Sequence, residues 1–150
     1  DVYKRQEQIA EDYGFDEVRT DRLLSRYGTV LRDVLALIDA DPELGRPFEA
    51  APRYLRAEIV YAARAEGVVR LDDVLERRTR LSTEVPDRGV AAADEIAAIV
   101  AAELGWDEAR RTAEVERYRG LMDARRRGEQ TDSDTAAAQA LAAADADPTD

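Results

Sequence analysis

The sequence predicts an all-α protein, a small bundle of about five or six helices with a disordered acidic C-terminal tail. Three observations predict it. Ala, Glu, Arg and Leu, all good helix formers, dominate the chain. Its eight Gly and five Pro are few and fall between the periodic segments. Large apolar residues recur at spacings of three and four, as one face of a helix requires. A chain of 150 residues is long enough for one core and too short for two. The composition is 45% hydrophobic but rich in alanine and only 6% aromatic, so that core must be small and built from Leu, Ile, Val and Ala.

Residues 1–17 contain Gly14 and no convincing period, and read as a linker, a broken element or an artefactual N-terminus. The chain opens on Asp1-Val2-Tyr3-Lys4-Arg5-Gln6 rather than Met. That hexapeptide resembles translated adapter DNA at the end of a fragmentary gene sequence, and the natural protein is expected to begin upstream. A first short helix runs from Thr20, an N-cap, to Tyr27, with Gly28 ending it at positive φ. A second places Tyr27, Leu31, Val34, Leu35 and Ile38 on one face, and Asp41-Pro42 stops it. A third spans Arg53 to Glu66 with the stripe Leu55, Ile59, Ala62 and Ala63, and ends at Gly67. After an extended Val68–Leu71, Asp72 or Asp73 caps a fourth helix that reaches Leu81. The fifth, from Asp87 to Leu104, carries Val90, Ala93, Ile96, Ala97, Val100 and Leu104, and Gly105 ends it. The sixth runs to Arg127 with Val115, Tyr118 and Met122 on one face. The body is thus 18–127. Residues 128–150 hold one large apolar side chain, Leu141, too little burial to offset the entropy of ordering, so disorder is expected there.

The net charge of -11 is unevenly spread. Six of the acidic residues lie between Glu129 and Asp150, where there is no Lys or Arg. Setting them aside leaves 22 basic against 27 acidic residues, about -5 for the body. No broad basic face of the kind that binds phosphate backbones is present, so nucleic acid is not an expected partner. The absence of Cys and His excludes disulfides, thiolate and imidazole metal sites, and Ser-His or Cys-His nucleophiles. The alternating carboxylates Asp39, Asp41 and Glu43 lack the glycine and terminal glutamate of a calcium loop and read as a helix stop. Asp72-Asp73 and Asp94-Glu95 sit near helix starts, where negative charge is favoured. Arg125 to Arg127 read as a solvated helix end. Tyr54, Tyr61, Tyr118 and Trp106 read as core bulk rather than a cofactor box, and there is no Gly-rich phosphate loop.

One segment stands out. On an α-helix through Leu71, Val74, Leu75 and Leu81, the position completing the apolar stripe is Arg78. A buried cation needs a partner, and Glu58, Glu66, Asp73 and Asp94 are the candidates. The first reading is a structural ion pair fixing how the third and fourth helices cross. The second is an anion or domain-docking contact made by Arg77, Arg78 and Arg80; a third is an arginine that reaches out to solvent.

Several runs occur in a telling order: Tyr27-Gly28, then Tyr54-Leu55-Arg56-Ala57-Glu58-Ile59-Val60-Tyr61-Ala62, Glu66-Gly67, Asp72-Asp73-Val74-Leu75 and Arg77-Arg78-Thr79-Arg80. Leu104-Gly105-Trp106 and Glu114-Val115-Glu116-Arg117-Tyr118 continue it. From Leu23 to Leu121 this resembles the C-terminal domain of the FAD-dependent, aerobic-type glycerol-3-phosphate dehydrogenases and the related alpha-glycerophosphate oxidases. The resemblance implies an enzyme that oxidises glycerol 3-phosphate to dihydroxyacetone phosphate by hydride transfer to FAD, with quinone or oxygen as the acceptor. It implies that FAD and substrate are held by a preceding domain, on which this helical domain packs. No catalytic, cofactor-binding or metal-binding residue is expected in the segment itself, and the isolated chain is expected to be inactive. Glu58, Glu66, Asp73, Arg77, Arg78 and Arg80 would form the structural motif or docking face. A homodimer and a cytoplasmic location, peripheral to the inner face of the cell membrane in the full-length protein, are further implications. Where the family often has His, this chain has Ala65. The competing reading is a free-standing helical interaction module using the Arg77–Arg80 face or the acidic tail.

Overall fold

The computed structural model describes residues 2–145. Its order is α1 (Val2–Tyr13), α2 (Glu17–Tyr27), α3 (Leu31–Ala40), a two-stranded ladder of β1 (Pro47–Phe48) and β2 (Ala51–Leu55), α4 (Arg56–Ala65), a π-helical turn (Asp73–Arg78), α5 (Leu81–Glu84), α6 (Ala93–Leu104) and α7 (Glu108–Asp145). The helical bundle expected from the sequence is therefore present, with one small antiparallel ladder added. No described helix is long and apolar enough to cross a membrane.

The N-terminal segment, read above as a linker, is a helix. Its pattern is weak because it buries a single residue, Ile9, and it is held by Phe15 and by Gln6, whose amide donates to Asp21 of α2. The start of α2 also differs from expectation. Asp16, not Thr20, is the N-cap, accepting from the Arg19 N–H at 2.7 Å, while the Thr20 hydroxyl turns back onto the Asp16 carbonyl. Here an i−4 carbonyl competes for the same hydroxyl that caps helices elsewhere. The face of α3 is as expected, with Leu31, Val34, Leu35 and Ile38 all buried.

Residues 51–55 are strand rather than the first turn of a helix. The cause is local: the Glu58 carboxylate reaches back to the Leu55 N–H at 2.7 Å, so α4 can start only at Arg56. The Arg56 guanidinium then donates to the Pro47 carbonyl, tying the helix start to β1. α6 begins at Ala93, not Asp87, because the Asp87 carboxylate is spent on the Gly89 and Ala91 N–H groups of a turn. It ends as expected at Gly105, whose φ of 74° only glycine adopts freely.

Two apolar clusters result. One gathers Phe48, Tyr54, Ile59, Leu71, Val74, Leu75, Leu81, Ile96, Val100, Val115, Tyr118 and Met122. The other gathers Ile9, Phe15, Leu23, Tyr27, Leu31, Val34, Leu35, Ile38, Leu55 and Ala57 from α1 to α3 and the start of α4. α4 runs between them and gives Ile59 and Ala62 to the first and Ala57 to the second.

In the tail, α7 continues as helix as far as Asp145. Alanine supplies the backbone preference, but every side chain from Ala124 to Ala144 is exposed. Residues 146–150 lie outside the described residues. The arginines at 125–127 are consequently mid-helix: Arg125 reaches Glu76, and Arg126 and Arg127 pair with Asp123. Truncation after Gln130 should leave the urea midpoint of the chain unchanged, because no apolar surface is uncovered. A fall in the midpoint by circular dichroism would show that the tail packs on the body.

Candidate functional site

The polar centre of the molecule is a carboxylate. Glu58 lies in the first turn of α4 with its side chain fully shielded from solvent. Three donors meet it: the Arg22 guanidinium at 2.6 Å, the Tyr27 hydroxyl at 3.0 Å and the Leu55 N–H at 2.7 Å. Two come from α2 and one from β2, so this single group ties three elements together. Arg22 also lies over the Tyr54 ring, 4.8 Å from its centroid, and the Tyr54 hydroxyl donates to Glu84 at 2.7 Å. Burial acts to lower the Arg22 pKa, but the hydrogen bond and charge of Glu58 outweigh it and raise it above its ordinary value. Burial, reinforced by the Glu58 charge, pushes the Tyr27 phenol well up; burial and Glu84 do the same to Tyr54. Both phenols are donors fixed in place and unsuited to proton transfer near neutrality.

A second buried carboxylate, Glu114 of α7, is 3% exposed. It accepts from the Leu71 N–H at 3.3 Å and from Arg70 at 3.4 Å, with Arg110 at 3.7 Å. Asp73 holds the same segment from the other side, accepting from the Val69 and Arg70 N–H groups at 2.9 and 2.8 Å. Burial acts to raise the Asp73 pKa, but those backbone donors, with Arg77 and Arg78 nearby, prevail and bring it below its ordinary value.

The arginine expected to point inward does not. Arg78 is exposed, and the buried position of the stripe is taken by Thr79. The reason is the π-turn. The Thr79 N–H and hydroxyl both bond the Val74 carbonyl, five residues back, at 2.9 and 2.7 Å. One extra residue per turn moves the inward position from 78 to 79. The structural ion pair expected of Arg78 with Glu58, Glu66, Asp73 or Asp94 is thus replaced by Arg22 with Glu58. Glu66 closes α4, half-buried. Arg77 pairs with Asp73 at 3.5 Å while largely exposed, Arg80 is exposed, and Asp94 pairs instead with Arg119. The structure therefore places Glu58 inside, Asp73 and Glu66 half-buried at the ends of the intervening segment, and Arg77, Arg78 and Arg80 at the surface.

Sequence reasoning missed Arg22 and Glu114. Glu114 was findable, since it lies four before Tyr118 and eight before Met122 on the same helical stripe. Arg22 gave no such signal, because Arg19 and Arg26 on the same helix look alike in sequence.

The described residues do not fit a dinucleotide cofactor. The strand-to-helix junction after β2 reads Tyr54-Leu55-Arg56-Ala57, with no glycine to let a pyrophosphate approach the backbone. One hollow of about 610 Å³ among the described residues is an open surface depression walled by Arg88, Arg119, Met122 and Arg126.

Removing one partner of a buried pair leaves an uncompensated charge, so Glu58→Ala should lower the unfolding free energy by about 3–5 kcal/mol in urea denaturation. A loss below 1 kcal/mol would mean that the pair is not buried in solution. Arg78→Ala, at an exposed position, should change it by less than about 0.5 kcal/mol. Unfolding by that substitution would instead restore an inward Arg78.

The family described as the C-terminal domain of alpha-glycerophosphate oxidase matches residues 2–111. Glycerol-3-phosphate dehydrogenase 2 of Mycobacterium tuberculosis is 44% identical over 118 residues, which is 79% of this chain and 20% of that protein. The glycerol-3-phosphate dehydrogenase of Mycobacterium leprae has the same identity and coverage. That of Synechocystis is 29% identical over 101 residues, 67% of this chain and 18% of the relative. The chain therefore spans about a fifth of the length of these relatives. No solved structure matches. With two thirds of the chain or more aligned in each case, this chain belongs to the family of the C-terminal domain of alpha-glycerophosphate oxidase.

Proposed function

We propose that the chain is the accessory C-terminal domain of an FAD-dependent enzyme that oxidises glycerol 3-phosphate to dihydroxyacetone phosphate. Family membership is the observation that carries this reading. The geometry supports it in a specific way. The buried carboxylates are consumed by arginines and backbone N–H groups, and the buried phenols are pinned by Glu58 and by the Arg88 carbonyl. Glu58, Glu114, Tyr27 and Tyr118 are thus engaged in holding the helices together. FAD and substrate accordingly belong to a preceding domain, and this domain packs on it. Quinone or oxygen accepts the electrons there, and contact with the inner face of the cell membrane belongs to the whole enzyme. The competing reading, a free-standing interaction module, draws on the exposed Arg78 and requires a separate protein partner.

The test is a graft. This chain replaces the corresponding C-terminal fifth of the Mycobacterium tuberculosis glycerol-3-phosphate dehydrogenase 2, and glycerol 3-phosphate oxidation is followed by dye reduction. The graft should be active, and the chain alone should show neither flavin absorbance nor turnover. Turnover by the chain alone, or a folded, flavin-loaded graft without activity, would overturn the reading.

A further inference from the structure

The π-turn that expels Arg78 from the core also assembles a cationic edge whose arginines, among the described residues, form no ion pair. Thr79 is extended, at φ -130° and ψ 175°, and buried. Side chains alternate along extended backbone, so Arg78 and Arg80 on either side of it both face outward. Arg26, in the last turn of α2, donates to the Arg78 carbonyl and brings a third guanidinium to the same place.

Four carboxylates of the body have hydrogen-bond or ion-pair partners other than these arginines, although Asp73 also feels the Arg78 charge. Glu84 takes the Tyr54 hydroxyl and Arg53, Asp73 takes two backbone N–H groups and Arg77, Glu76 takes Arg125, and Glu58 takes Arg22. Among the described residues, Arg26, Arg78 and Arg80 have no carboxylate within ion-pair distance, although most other arginines of the body do. Three like charges side by side repel one another, and here they sit on a chain of net charge -11 with acids to spare. An acidic partner is repelled by most of this chain and attracted at this edge, which fixes its register. The planar forks of arginine favour carboxylates that can be met at two points.

We propose that the Arg26–Arg78–Arg80 edge docks onto a carboxylate-rich surface of the preceding domain of the same polypeptide. This rests on the reading of the chain as a C-terminal accessory domain. A covalently attached neighbour has the highest effective concentration of any partner, so a few charge pairs suffice to hold it. Of the residues expected to dock, Glu58 and Asp73 are thereby assigned to internal support and Arg77 to its pair with Asp73, Glu66 takes no part, and Arg26 is added.

The graft described above decides it, made with the wild-type chain and with Arg78→Glu/Arg80→Glu. The wild-type graft should melt in one transition and resist trypsin at the junction. The double variant should melt in two and be cut there about tenfold faster, the mark of a junction that opens more often. High salt should bring the wild-type graft toward the same behaviour. The chain alone should keep its helical circular dichroism with both substitutions, and if it does not, Arg78→Gln/Arg80→Gln replaces them in the same comparison. A variant graft that melts and is cut like the wild type overturns the proposal. So does an isolated chain that sediments as a dimer dissociated by the double substitution, which would give the edge to a second copy and its acidic tail. An inactive, folded wild-type graft overturns the underlying reading, and the proposal falls with it.

Discussion

Glu58 is a fully buried carboxyl group on the helix that runs between two apolar clusters, and the way its oxygens are satisfied organises the rest of the fold. Its bond to the Leu55 N–H sets where α4 begins. Its bonds to Arg22 and Tyr27 fasten α2 across α4. Through Arg22 the network continues to the Tyr54 ring, and from the Tyr54 hydroxyl to Glu84 in α5. Buried ion pairs contribute little net stability against a well-packed apolar alternative. Their effect is on uniqueness: the helices can cross in only one way without stranding a charge.

The π-turn solves a related problem. The segment from Leu71 to Leu81 must bury Leu71, Val74, Leu75 and Leu81 while carrying Arg77, Arg78 and Arg80. A regular α-helix would force Arg78 into the core with Glu58 already saturated. Widening by one residue lets Thr79 enter instead, and its hydroxyl is satisfied locally by the Val74 carbonyl. The entry to this turn is clamped by Glu114 and Asp73, which accept the otherwise free N–H groups of Val69, Arg70 and Leu71. The same wider turn that rescues the core leaves arginines at the surface, so core packing and the exposed arginine edge are two consequences of one backbone irregularity.

The chain belongs to a family of domain and spans about a fifth of the length of its relatives. Under the proposed reading the domain acts through its surface, at the edge formed by Arg26, Arg78 and Arg80.

The helical class, the buried faces of α3 and α6 and the stripe Val115, Tyr118 and Met122 were legible in the sequence, because period and propensity are local properties. Glu58 was legible only as one of four candidate partners for an inward Arg78. Which cation it meets was not, because Arg22 and Arg78 are 36 residues before it and 20 after it, and only the crossing of α2 on α4 chooses between them. The helix α1 was hidden for the same reason: Ile9 and Phe15 are too few to make a period, and they are buried only once α2 and α3 form a surface to receive them. The register of Thr79 lay beyond the sequence too, since an i, i+5 bond is chosen by what the core admits and not by the propensity of the residues that make it.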